Sequence, residues 1–234
     1  MYYSTEKQME KLDILAVKYG LQIRQMMELA GWHMVEVFRR LKIQKRKKIV
    51  IVVGKGNKGG DGLCAGRHLI NQGWKKVLVV LVSRQMSEDT EHHLKLLQKM
   101  EVKILLYPRQ KRKARQEIAK AGILIDSLIG YHLKGAPRRN FKELIELMNA
   151  VNKKIIAYDL PSGLDTTTGE CLEPCIRAWA TLTLALPKRA FKTRAGRVVS
   201  GKIFLGDIGI PGFLYDKIAS GSRPSFGGKS LFII

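Results

Sequence analysis

The chain has 234 residues, 45% of them hydrophobic, with 42 lysines and arginines against 20 acids and a formal net charge of +22. That size suffices for one sizeable core, and no stretch approaches the ~20 apolar residues of a membrane span. Three cysteines, Cys64, Cys171 and Cys175, are too few and too oddly numbered for a disulfide framework, and no nearby Cys or His completes a metal set with the last two.

The opening MYYSTEKQMEK has no apolar signal core, so the expected setting is the cytoplasm. Apolar residues then recur at helical spacing over 9–17 and 26–41, which predicts two helices joined around Gly20. Strand-like runs follow at 48–53, 76–82, 102–107, 123–126, 155–160, 181–186 and 202–205. They alternate with helical stretches at 61–72, 88–100, 112–121 and 141–151. Near-continuous apolar strands separated by helices imply a parallel sheet covered on both faces. No repeat or linker divides the chain, so residues 1–220 are expected as one domain and 221–234 as a frayed tail whose last four apolar residues are suited to docking. Two basic runs, KIQKRKK at 42–48 and RQKRKAR at 109–115, attract polyanions. Neither interleaves aromatics, and no zinc-finger, RNP-type or KH-type pattern occurs, so they read as solvated basic faces, with a nucleic acid or acidic partner as the rival reading.

Three strand ends carry chemistry. Residues 54–62 read GKGNKGGDG, five glycines in nine positions, directly after an apolar strand. The first six fit a dinucleotide fingerprint, yet the next strand ends Leu81-Val82-Ser83-Arg84 without the ribose-binding acid, leaving only an NADP-type reading through Arg84. Asp61 at the expected helix start reads as a capping carboxylate, which would compete with a phosphate for the same N–H donors. A second strand ends at Asp126, either an Asx turn or a ligand for a cation or substrate. The loop 130–136 after it, with Lys134 and Gly135, has the small and basic residues of a phosphate-wrapping segment. His132 in that loop is expected to be solvated with no catalytic role, and His33, His68, His92 and His93 to lie on helix faces. The third end reads YDLPSGLD at 158–165. Asp159 there is expected to be partly desolvated, which raises a carboxyl pKa toward the range of proton transfer unless a cation opposes it. A turn stiffened by Pro161 and Gly163 is the purely structural alternative.

Taken together, these residues resemble the NAD(P)H-hydrate epimerase family, the YjeF N-terminal domain. The resemblance rests on Met26-Met27-Glu28-Leu29-Ala30-Gly31, the glycine run 54–62, Asp126-Ser127-Leu128-Ile129-Gly130 and Asp159-Leu160-Pro161-Ser162-Gly163, four ordered motifs over about 140 residues. Ala185-Leu186-Pro187-Lys188 and the turn from Gly206 to Pro211 are family-like as well. The resemblance covers nearly the whole chain and implies a three-layer αβα Rossmann-like sandwich with a mostly parallel sheet. At this length the dehydratase domain that some relatives carry is not expected within these residues.

The implied reaction interconverts the R and S forms of hydrated NADH and NADPH. By carry-over, Asp159 is the acid/base. Asn57, Lys58, Gly59, Gly60 and Asp61, with Gly130, Tyr131, His132, Leu133, Lys134, Gly135 and Ala136, hold the substrate beside Asp159. The implied partner is the small molecule alone, with room for a homodimer and no membrane. A binding or scaffold protein of the same domain type is the alternative, and an NADP-linked dehydrogenase a third.

One position departs from the family pattern. The family's second loop asparagine, expected to help hold a potassium ion, is Lys58 here, while the companion ligands fall on Asp126 and Ser162. An ammonium is a monovalent cation on a tether and is able to take the ion's place. The other reading leaves Lys58 in solvent and K⁺ on backbone atoms.

Overall fold

The computed structural model describes residues 1–234. Its centre is an eight-stranded sheet of order β3-β2-β1-β4-β5-β6-β7-β8. The first seven strands, β1 (Ile49–Val53), β2 (Val77–Leu81), β3 (Lys103–Leu106), β4 (Ile123–Ser127), β5 (Lys154–Tyr158), β6 (Ala180–Leu184) and β7 (Lys202–Gly206), are parallel. β8 (Leu231–Ile233) returns antiparallel to β7, with Phe204 opposite Ile233. The end of the chain is therefore docked on the sheet by its apolar residues.

Strand alternation feeds two cores. Ile49, Ile51 and Val53 of β1 face one side, where α1 (Glu6–Lys18), α2 (Ile23–Arg40), α3 (Asn57–Asn71) and α4 (Glu88–Lys99) supply Leu12, Phe38, Leu63 and Leu97. Val50 and Val52 face the other, where α5 (Lys111–Ala119) and α6 (Arg139–Ala150) supply Ile118 and Leu144. β1, β2 and β4 are buried along their whole length, as parallel strands covered on both faces must be. No helix is long and apolar enough to cross a membrane.

Three short elements have no counterpart in the apolar periodicity: a 3₁₀ turn Arg189–Lys192, α7 (Arg194–Ser200) and α8 (Gly212–Asp216). They span too few residues for a period to register. β5 and β6 also stop earlier than their apolar runs suggest. Asp159 and Ala185, one past each strand, have φ of +59°, and the amides of Leu160 and Leu186 bond back to Tyr158 O and Leu184 O at 2.6 and 2.7 Å. Each strand thus ends in a three-residue turn at a left-handed residue, a strained conformation for side chains other than glycine. Strand order reverses between β1 and β4, and the crevice at their carboxyl ends is where open α/β sheets bind ligands.

Candidate active site

The chain leaves β1 through Gly54, whose amide bonds Ser127 O at 2.8 Å. A Cβ on Gly54 would lie 1.8 Å from Leu128 O, so the turn admits only glycine. α3 then starts at Asn57, four residues earlier than expected, and the glycine run is mostly helix rather than loop. The reason is close packing. A Cβ on Gly59 would meet Gly54 O at 2.6 Å, one on Gly60 the Met27 Cε at 2.5 Å, and one on Gly62 the Ser127 Oγ at 2.2 Å. Gly59 and Gly60 therefore pack against protein and are not among the residues lining the cavity. Asp61 is not a cap either: it lies in the second turn, buried, with its carboxyl at the cavity wall.

Lys58 turns inward. Its Nζ donates to Asp126 Oδ2 at 3.0 Å, Ile129 O at 2.9 Å, Leu160 O at 2.8 Å and Ser162 Oγ at 2.9 Å. The two side chains of the pair are 4% and 0% exposed, so solvent does not compete. Burial pulls the Lys58 ammonium below its ordinary pKa, and Asp126 opposes that shift. Asp126 also accepts from Ser162 N at 2.8 Å, Ser162 Oγ at 2.6 Å and Leu128 N at 3.1 Å. The last bond is an Asx turn, so Asp126 serves both of the roles its position suggested.

Asp159 carries an ion pair with Lys188, whose side chain is fully buried and whose Nζ also donates to Leu184 O at 3.0 Å. Asp13 of α1 accepts a short hydrogen bond from the Tyr131 hydroxyl. Burial raises the Asp13 carboxyl to about 6, with Tyr131 and Lys188 opposing and Asp159 adding to the rise. Burial raises Asp61 well above the usual carboxylate range, and the neighbouring Asp159 and Asp13 push the same way.

Asp13, Asp61 and Asp159 open onto one cavity of about 750 Å³, lined also by Met9, Met26, Met27, Asn57, Lys58, Gly130, Tyr131 and His132. A second cleft of about 640 Å³ shares Lys55, Ile129 and Phe141 with it and is lined by Arg84, Arg109, Lys134, Arg138 and Arg139 without any acid. The expected loop thus divides: Gly130, Tyr131 and His132 border the first cavity, and Leu133, Lys134, Gly135 and Ala136 the second. His132 is exposed, its ring nitrogen 3.7 Å from Glu10.

Sequence reasoning missed Asp13 and Lys188. Asp13 sits four residues after Met9, on the inward face of an apolar helix, where an acid is the signal. Lys188 was visible only as part of a family-like segment, since nothing local says that a lysine after a proline is buried. The basic run at 42–48 precedes β1, at the amino end of that strand, whereas the cavities lie at the carboxyl ends. Glu28, Cys64 and His68 converge between α2 and α3, where Arg67 bonds the Glu28 carboxylate.

The family model described as YjeF-related protein N-terminus matches residues 23–190. The chain is 38% identical over 212 residues to a protein of Dehalogenimonas lykanthroporepellens named NAD(P)H-hydrate epimerase, covering 89% of this chain and 82% of that one. It is 37% identical over 217 residues to a bifunctional NAD(P)H-hydrate repair enzyme of Moorella thermoacetica, covering 90% of this chain but 41% of that one. The crystal structure of yeast ynu0 has the same fold, with a TM-score of 0.87 at 22% identity over the whole of both chains. With the family model spanning most of its length, the chain belongs to the YjeF-related N-terminus family.

Proposed function

We propose that this chain is an NAD(P)H-hydrate epimerase that equilibrates the two hydrated forms of NADH and NADPH. The observation that carries the reading is three carboxyl groups, Asp13, Asp61 and Asp159, converging on a largely apolar cavity that shares a wall with a cleft of cations. A nicotinamide ring suits the first and nucleotide phosphates the second. The relatives' names supply the substrate class.

In the hydrate, a hydroxyl sits on a reduced-ring carbon beside the ring nitrogen. Asp61, whose protonated form is favoured by burial and by the neighbouring Asp159 and Asp13, gives its proton to that hydroxyl. Water leaves as the nitrogen lone pair forms the C=N bond, and the ring becomes a planar cation. Asp159 takes a proton from the water that adds to the opposite face. A solvent relay returns the proton from Asp159 to Asp61, so the cycle consumes nothing. The paired carboxylates lower the energy of the cationic ring relative to the neutral hydrate. Lys188 is a positioning residue: it fixes the Asp159 carboxylate from behind without reaching the cavity.

Chiral separation of hydrated NADPH after incubation with the protein tests this. Rapid equilibration of a single epimer is expected. No acceleration over the spontaneous rate removes the enzymatic reading in favour of a binding protein, and consumption or production of NADPH itself would point to a dehydrogenase.

A further inference from the structure

Four buried oxygens converge on one point beneath the cavity: a carboxylate oxygen of Asp126, the backbone carbonyls of Ile129 and Leu160, and the hydroxyl of Ser162. They come from the ends of β4 and β5, and Lys58 reaches them from the end of β1, across the point where strand order reverses. Such a set is a cation cage. Neutral carbonyl and hydroxyl oxygens with a single carboxylate match one positive charge, whereas a divalent ion selects more carboxylates. None of these groups is able to donate to Nζ in place of accepting from it: the carbonyls and carboxylate carry no hydrogen, and the Ser162 hydroxyl already donates to Asp126 Oδ1 at 2.6 Å. The centre must therefore hold a positive charge or a donor of several hydrogens.

In this chain the Lys58 ammonium occupies that centre, at 2.8–3.0 Å from every oxygen. Its stem passes under Gly130, where a Cβ would come within 3.5 Å of Lys58 Cβ. A potassium ion does not fit as well, since the ammonium takes its position and its charge. We infer that Lys58 is a covalently tethered replacement for a bound monovalent cation, so that this protein holds no K⁺ at the cage and needs none. The tether makes the cation permanent: a bound ion leaves when its concentration falls, and this one cannot.

The inference concerns the ion and stands whether or not the cavity epimerises a hydrated nucleotide, so its test uses no substrate. Thermal unfolding of the full chain is followed in potassium, sodium and choline chloride at equal ionic strength. The unmodified protein is expected to melt within about 1 °C in all three, whereas Lys58→Asn is expected to gain roughly 4 °C in about 100 mM potassium over choline. A potassium-specific gain by the unmodified protein, or none by a folded Lys58→Asn, overturns the inference. Should Lys58→Asn fail to fold in any salt, thallous ion soaked into crystals of the unmodified protein decides. An anomalous peak among the four oxygens overturns the proposal, and a cage without one upholds it.

Discussion

The Asp159 carboxylate is paired with the ammonium of Lys188, a lysine with no exposed side-chain surface. Left-handed turns at adjacent strand ends set both positions: Asp159 is itself the turn residue after β5, and Lys188, just past the turn at Ala185, anchors on Leu184 O, the acceptor of that turn. Two strained backbones therefore aim one ion pair at the cavity floor.

Removing either partner should show this coupling. Asp159→Asn is expected to lower kcat/KM for hydrated NADPH by roughly 100-fold, the usual weight of a positioned acid or base. Lys188→Met leaves a buried carboxylate without its counter-charge, which costs about 3 kcal/mol and lowers Tm by roughly 6–12 °C. If Lys188 acts through Asp159, the double variant loses no more activity than Asp159→Asn alone. Multiplying rate losses would assign Lys188 a separate role.

In the proposed mechanism Asp61 would supply the alkaline limb of the rate profile. Burial, with Asp159 and Asp13 pushing the same way, raises its pKa well above 3.8, so the proton it would give to the leaving hydroxyl persists to higher pH than on a free carboxyl. The expected kcat/KM falls as pH rises through the raised Asp61 pKa. Asp61→Asn keeps the shape, cannot give up a proton, and should be slow at every pH without that limb. An unchanged alkaline fall in Asp61→Asn would place the titrating group elsewhere.

Asp13 makes a prediction about stability. Its carboxyl is raised from 3.8 to about 6 in the fold, so between those values the native state holds a proton that the unfolded chain has released. This contribution is complete below about pH 4 and is lost as pH rises through about 6. Asp13→Asn keeps a partner for the Tyr131 hydroxyl and removes the titration. Its Tm, relative to the unmodified protein, should therefore improve steadily from pH 4 to pH 7, with little further change above. A constant difference over that range would mean that Asp13 does not titrate on folding.

Gly62 tests the packing reading of the glycine run. It is helical, so replacing it by alanine should by propensity alone stabilise α3 by up to about 1 kcal/mol. The new methyl, however, would sit 2.2 Å from Ser127 Oγ and 2.6 Å from Ser127 Cβ, on a buried strand with little freedom to move. The overpacking cost of about 1–3 kcal/mol should win, giving a net fall in Tm. Gly56→Ala, at the helix start with open space around it, is the control. A Tm rise in Gly62→Ala would show that α3 stands farther from β4.

These residues also show how far the sequence is legible. The alternation of apolar runs and helical spacing locates all seven parallel strands, because strands buried on both faces, as β1 and β2 are, consist of apolar residues throughout. Chemistry at strand ends is likewise visible, as Asp126 and Asp159 interrupt apolar runs. What the pattern does not carry is the direction of a side chain near a turn. Asp61 looked like a helix cap because glycines read as loop, whereas close approach to Met27 and Ser127 makes them helical and carries Asp61 a turn further in. Lys188 and Asp13 were hidden for a related reason: their partners lie far along the chain, and only the fold brings Tyr131 to Asp13 and Asp159 to Lys188.

The cation cleft should govern binding rather than chemistry. Lys55 stands on the wall shared by the two cavities, and Lys134 with Arg84 and Arg138 lines the second, with no acid among them. Phosphates that lie there touch the protein equally in the hydrate and in the ring cation, so their contacts lower KM and leave kcat alone. Lys55→Ala and Lys134→Ala are each expected to raise KM for hydrated NADPH about tenfold, the low end for an exposed charge meeting a phosphate. The change in kcat should stay below about twofold. Raising salt from about 50 to 200 mM should weaken binding to the unmodified protein more than to either variant, because the screened interaction is the one the variants lack. Hydrated nicotinamide mononucleotide, with one phosphate, should be less sensitive to both substitutions than the dinucleotide. If KM is unmoved in both variants while kcat falls, the phosphates do not lie in this cleft and the substrate enters the cavity from the side of α1, over Ile14 and Val17.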